Sequence, residues 1–195
     1  QLTQITTSQG QDYNIVFSYT GSNISKVEVR TGADTSTRVQ EVDYTYFTSG
    51  THSADVGLMG NLVQVKTMRL KTGGSPSNSA DWIVRYTQYR YNTTNGLLKM
   101  VLEPDAIQRI LDNSSLGIST ADAILAKSDS YNNSGASSHM VKEYANRQFT
   151  YYAADLATDN SNGSAKCLTA WAPTAGENLQ SKYGGTNVNE VLNFK

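Results

Sequence analysis

One pattern recurs along this chain and constrains its fold more than any other. Two aromatic residues separated by one are followed by a polar turn, a large apolar residue, two spacers and another apolar residue. It is plainest in RYTQYRYNTTNGLLKMVLEP, residues 85–104, where Tyr89 and Tyr91 precede Gly96, Leu98 and Val101. FSYTGSNISKVEV supplies Phe17 and Tyr19, a Gly21-Ser22-Asn23 turn, then Ile24 and Val27. VDYTYF gives Tyr44 and Tyr46, and a longer loop leads to GNLVQV with Gly60, Leu62 and Val65. RQFTYY gives Phe149 and Tyr151, and a polar loop leads to CLTAW with Leu168 and Trp171. Alternate residues of a strand point the same way, so each aromatic pair shares a face. Asn95-Gly96 offers the positive φ that a tight hairpin turn needs. A single aromatic pair would fit an ordinary antiparallel meander, but four copies with matching second halves mark a repeat.

The pattern predicts a mainly β fold: successive antiparallel β-hairpins in a twisted, shell-like sheet. Three hairpins fall in residues 1–102, and a fourth with a polar tail in 147–195. Between them, at 103–146, the apolar period changes to that of a helix. In LEPDAIQRILDN, Pro104 stands at a first helical turn flanked by Glu103 and Asp105, and Ala106, Ile107, Ile110 and Leu111 share one face. STADAILAK follows with Ser119 and Asp122 at capping-box spacing and an apolar stripe of Ala121, Ile124 and Leu125. SSHMVKEYAN adds a third short helix with Val141 and Tyr144 inward, after a flexible Asn132-Asn133-Ser134-Gly135 loop. Helices this short need the sheet or its rim to pack against.

Charge and composition remove several function classes. Sixteen basic residues against 17 acidic ones leave no basic excess for a nucleic-acid surface. No run of 18 apolar residues could cross a membrane. The single cysteine, Cys167, excludes a disulfide scaffold within the chain. The opening QLTQITTSQG carries no Met, basic start or apolar h-region, which suggests a processed chain or, better, an excised stretch of a larger one. Abundant Ser, Thr, Asn, Gly and Tyr suit strands joined by polar turns in surface and secreted proteins.

Catalytic and metal chemistry finds little footing. His52 and His139 have no second ligand nearby, and Cys167 sits alone on an expected apolar strand, so no cofactor or metal is expected. DLATDNSNGSA resembles a calcium loop, but Thr158 stands where an EF-hand requires Asp, and a polar hairpin loop is the expectation. THSAD at 51–55 gathers Thr51, His52, Ser53 and Asp55, yet adjacency in sequence is not triad geometry. Glu41 and Asp43 alternate on one strand face, which reads as solvated; carboxylates that meet only in the fold could still serve glycoside hydrolysis. Gly73-Gly74 and Gly184-Gly185 are isolated pairs in polar turns rather than phosphate loops. Five Asn-x-Ser/Thr triplets, from Asn23, Asn92, Asn113, Asn132 and Asn162, are near chance in such a composition.

The hairpin motif resembles YD repeats, also called Rhs repeats: a Tyr-Asp strand, a short turn, then Gly-Arg-Leu-Thr and a second strand. The resemblance is clearest at Tyr91-Asn92 with Gly96-Leu97-Leu98-Lys99, and at Gly60-Asn61-Leu62-Val63. Asn92, Thr20 and Phe47 replace the Asp, and no copy keeps the Arg. It covers about residues 12–195 in discontinuous pieces. It implies large secreted or surface proteins, such as polymorphic toxins, insecticidal toxin complexes and teneurins, whose repeats wind into a hollow β-shell around a terminal domain. The chain would then be non-catalytic wall, with flanking repeats and an enclosed domain or surface partner. From another class, Trp82, Tyr86, Tyr89 and Tyr91 could stack on sugars as a glycan-binding adhesin platform. Their recurrence favours cross-strand packing instead.

Overall fold

A computed structural model describes residues 2–7, 13–31, 37–133, 140–150 and 168–171. The fold is mainly β. Among the described residues nine strands follow one another across the sheet in sequence order, β1 (Gln4–Thr7), β2 (Tyr13–Thr20), β3 (Asn23–Thr31), β4 (Thr37–Tyr46), β5 (Leu62–Leu70), β6 (Trp82–Tyr91), β7 (Leu98–Leu102), β8 (Arg147–Thr150) and β9 (Leu168–Trp171), with antiparallel pairing from β1 through β5 and again from β6 through β9. A small helical insert holds α1 (Pro104–Asp112), α2 (Ala121–Leu125) and single 3-10 turns at Ser114–Leu116 and Val141–Tyr144.

The described residues fall into two compact units. One holds the described residues up to Tyr46 together with Leu62–Thr87; the other combines the Phe47–Asn61 loop with the described residues from Gln88 on. The insert shares its unit with the end of β6 and with β7. Its helices are too short to bury their apolar faces against one another only.

In the first unit, β3, β4 and β5 place charges on one face of the sheet. Lys26 bridges Glu41 at 3.1 Å and Asp43 at 3.6 Å, Arg30 bridges Glu28 at 2.5 Å, and Lys66 bridges Asp43 at 3.6 Å. Arg38 joins Glu41 and lies 4.7 Å from the Trp82 ring centroid. Glu41 is only 2 % exposed, which corrects the expectation of a solvated face. Lys26 and Arg38 both pair with Glu41, so the sheet can bury a carboxylate that water would otherwise hold. The opposite face carries Ile15, Phe17, Val27, Val29, Val42, Tyr44 and Val65, all half-buried.

The core of the second unit is the insert face against β7. Met100, Val101 and Leu102 are buried with Ala106, Ile107 and Ile110 of α1, then Leu116, Ile118, Ala121, Ile124, Leu125, Val141 and Tyr144. Each fully buried Leu or Ile contributes about 1.5–3 kcal/mol. Pro104 opens α1 as expected, but Thr120 rather than Ser119 caps α2, its hydroxyl accepting the Ala123 N–H at 3.2 Å. Val141 and Tyr144 face inward as expected, in a 3-10 turn. The Asn132-Asn133 pair is partly fixed, since the Asn133 amide donates to the Ser115 carbonyl at 2.8 Å.

Candidate functional site

The repeated residues are the site that matters most, and the structure gives them one geometry three times. Phe17 lies opposite Val27 and Tyr19 opposite Ile24. Tyr44 lies opposite Val65 and Tyr46 opposite Leu62. Tyr89 lies opposite Val101 and Tyr91 opposite Leu98. Two aromatics two apart thus face two apolar residues three apart. The mismatch demands one extra residue on the second strand, and each hairpin supplies it as a β-bulge at the same place: Ser25, Val63 and Lys99. Just upstream, Gly21, Gly60 and Gly96 hold φ of 61°, 87° and 70°, a conformation that suits glycine.

Hydroxyls tie one hairpin to the strand before it. Tyr46 donates to the Ile24 carbonyl at 2.9 Å, and Tyr19 donates to the Leu2 carbonyl at 2.7 Å. The paired aromatics are half-buried, so they pack across strands while keeping one flank open.

Two expectations change in detail. Asn95-Gly96 does not form a two-residue turn. The hairpin loop is closed by Asn92, whose N–H donates to the Leu97 carbonyl and whose carbonyl accepts the Gly96 N–H, each near 2.8 Å. The Asn92 side chain accepts the Thr94 N–H at 2.8 Å, an Asx turn. The fourth copy keeps the aromatic strand but not the hairpin register. Gln148 faces Met100 and Arg147 faces Val101, as Asp43 faces Lys26 and Val42 faces Val27, so Phe149 occupies the first aromatic position. Phe149 then lies opposite Thr169, with Leu168 opposite Thr150 and Trp171 opposite Arg147, two residues out of step. Tyr151 lies outside the described residues, as do Cys167, His139 and the 155–165 loop.

Trp82, Tyr86, Tyr89 and Tyr91 do not make one platform. On β6 the first two point to one face and the last two to the other, because their parity differs. Trp82 is 9 % exposed and its indole N–H donates to the Pro76 carbonyl at 3.1 Å, which leaves little ring for a sugar.

A polar cluster in the second unit escaped sequence reasoning. Arg90, fully buried, reaches Asp129 at 2.8 Å, the Lys127 carbonyl at 2.9 Å and the Ile124 carbonyl at 2.9 Å. It neutralises the carbonyl end of α2. Lys99, the bulge residue, bridges Asp129 at 2.5 Å and donates to the Asp55 carbonyl. Asp55 accepts the Asp129 N–H at 2.7 Å and the Ser53 hydroxyl at 2.8 Å. Burial pushes the Asp55 carboxyl up, but those hydrogen bonds and the Arg90 and Lys99 charges outweigh it and hold it below the usual carboxylate range. Thus Ser53 and Asp55 serve the fold. His52 turns elsewhere, its Nδ1 accepting the Thr48 N–H at 3.0 Å, and burial holds its pKa below the ordinary value against the pull of Asp122. THSAD is an anchor for the 47–61 loop, not a triad.

Among the described residues no group of three His, Cys, Asp or Glu is placed to hold a metal ion, and no helix is long and apolar enough to cross a membrane. Comparison with protein-family models, curated proteins and solved structures gives no match.

Proposed function

We propose that this chain is a non-catalytic structural segment of a large secreted or cell-surface protein of the YD-repeat kind, building part of a β-sheet wall. The single observation that carries the reading is the identical register and bulge of the Phe17/Tyr19, Tyr44/Tyr46 and Tyr89/Tyr91 hairpins. A site under selection for chemistry varies around one centre, whereas here the same seam is rebuilt along the sheet. In repeat arrays each repeat contacts its neighbours, and the Tyr46–Ile24 hydrogen bond is a contact between successive hairpins. The Glu41 carboxylate is ion-paired with Lys26 and Arg38, and Ser53 and His52 hydrogen-bond to Asp55 and to the Thr48 N–H, which fits a structural use of these groups.

The test is the size of the native polypeptide, by immunoblot of source cells with an antibody to this segment. A band far above 21.2 kDa is expected. A band near 21.2 kDa would defeat the wall reading and favour a compact adhesin module.

A further inference from the structure

β1 carries the second half of the repeat without the first. Leu2-Thr3-Gln4-Ile5 has the apolar-x-x-apolar spacing of Ile24 to Val27, Leu62 to Val65 and Leu98 to Val101. Its pairing with β2 copies that of β3 with β4: Gln4 faces Val16 and Ile5 faces Ile15, as Lys26 faces Asp43 and Val27 faces Val42. The tyrosine bond agrees, since Tyr19 donates to Leu2 where Tyr46 donates to Ile24. Three independent features therefore equate Leu2 with Ile24 and Ile5 with Val27.

The equated residues differ in one respect. Ile24 and Val27 are half-buried opposite Tyr19 and Phe17, while Leu2 and Ile5 are 55 % and 41 % exposed. β1 is also the terminal strand of the sheet among the described residues. A sheet edge with apolar side chains is a template for another strand.

We infer that the β1 edge is a docking site for an antiparallel strand of aromatic-x-aromatic sequence, supplied by a further repeat unit. The first aromatic lies opposite Ile5, the second opposite Leu2, and Thr3 takes the bulge. This occupant rests on the repeat reading above; the edge geometry does not depend on how long the natural polypeptide is.

The test supplies such a strand. A copy of residues 13–22, YNIVFSYTGS, placed directly before Gln1 sets the copied Phe and Tyr against Ile5 and Leu2 in the spacing of the first hairpin. Hydrogen exchange of the β1 amides is followed in the chain as it stands, in the extended chain, and in an extended control whose copied residues carry Phe17→Ser and Tyr19→Ser. Slowing of the β1 amides by about tenfold or more in the aromatic extension only is expected. Equal exchange in all three, or equal slowing by the serine control, overturns the inference. A short native band alongside a protected β1 would remove the wall function and leave the edge site standing; a long band with an unprotected β1 would do the reverse.

Discussion

Tyr46 and Ile24, 22 residues apart, are joined by a hydroxyl–carbonyl bond of 2.9 Å that ties the second hairpin to the return strand of the first. The bond is local in effect and repeated in design, since Tyr19 and Leu2 make its counterpart at 2.7 Å. Replacing Tyr46 with Phe keeps the ring against Leu62 and removes the hydroxyl. A loss of about 0.5–1.5 kcal/mol in urea denaturation is expected, the usual range for one hydrogen bond. An unchanged midpoint would mean that water replaces the donor at no cost.

The apolar contacts of the second unit should weigh more. Leu102 and Ile110 are fully buried, so Leu102→Ala or Ile110→Ala should cost about 2–5 kcal/mol. Leu98 and Tyr89 are half-buried, and their alanine variants should fall below that range. Thermal unfolding of the four variants gives the ranking directly. Equal losses would mean that the seam is as dry as the core.

Arg90 holds α2, Lys127 and Asp129 with one buried charge. Arg90→Ala should destabilise by about 3–5 kcal/mol, because Asp129 and two carbonyls lose their common partner. A cycle with Asp129→Asn should show coupling of about 0.5–3 kcal/mol. Additive losses would show that the pair acts separately.

Acid should loosen the second unit in two stages. The folded pKa of His52 lies below 6.5, so the unfolded chain binds the proton first; its contribution is complete above 6.5 and declines as pH falls toward the folded value. Protonation also turns Nδ1 from acceptor to donor against the Thr48 N–H. The folded pKa of Asp55 lies below 3.8, so its contribution is present above 3.8 and is lost as pH falls through the folded value. Stability measured against pH should lose the upper stage in His52→Gln and the lower one in Asp55→Asn. A profile unaltered by either variant would contradict both assignments.

Much of this was legible in the residues, in proportion to how local the cause is. The aromatic pairs announced the hairpins, and the helical period announced α1, whose Ala106, Ile107 and Ile110 are buried. The bulge was implied by arithmetic, since residues two apart cannot face residues three apart without it. β1 passed unnoticed because its Leu2 and Ile5 lack the aromatics that flag a unit. The polar cluster could not be read at all. Asp55 and Asp129 are 74 residues apart, and neither spacing nor composition links them before the loop folds back. Glu41 looked solvated because strand alternation alone does not put its cations beside it: Lys26 comes from β3, and Arg38, three residues back on the same strand, is turned to that face by an irregularity in the β3–β4 register.

The bulge has a consequence for how such a chain can diversify. Ser25, Val63 and Lys99 occupy one backbone address, yet they bring a hydroxyl, a buried aliphatic group and a cation. The residue there is the one left outside the cross-strand pairing, so its identity is not dictated by the aromatics opposite. Each unit can therefore speak to its own surroundings through that slot, as Lys99 does to Asp55 and Asp129, while the seam beside it stays constant. Neighbouring loops are free to change length so long as some side chain in the slot can still hold them.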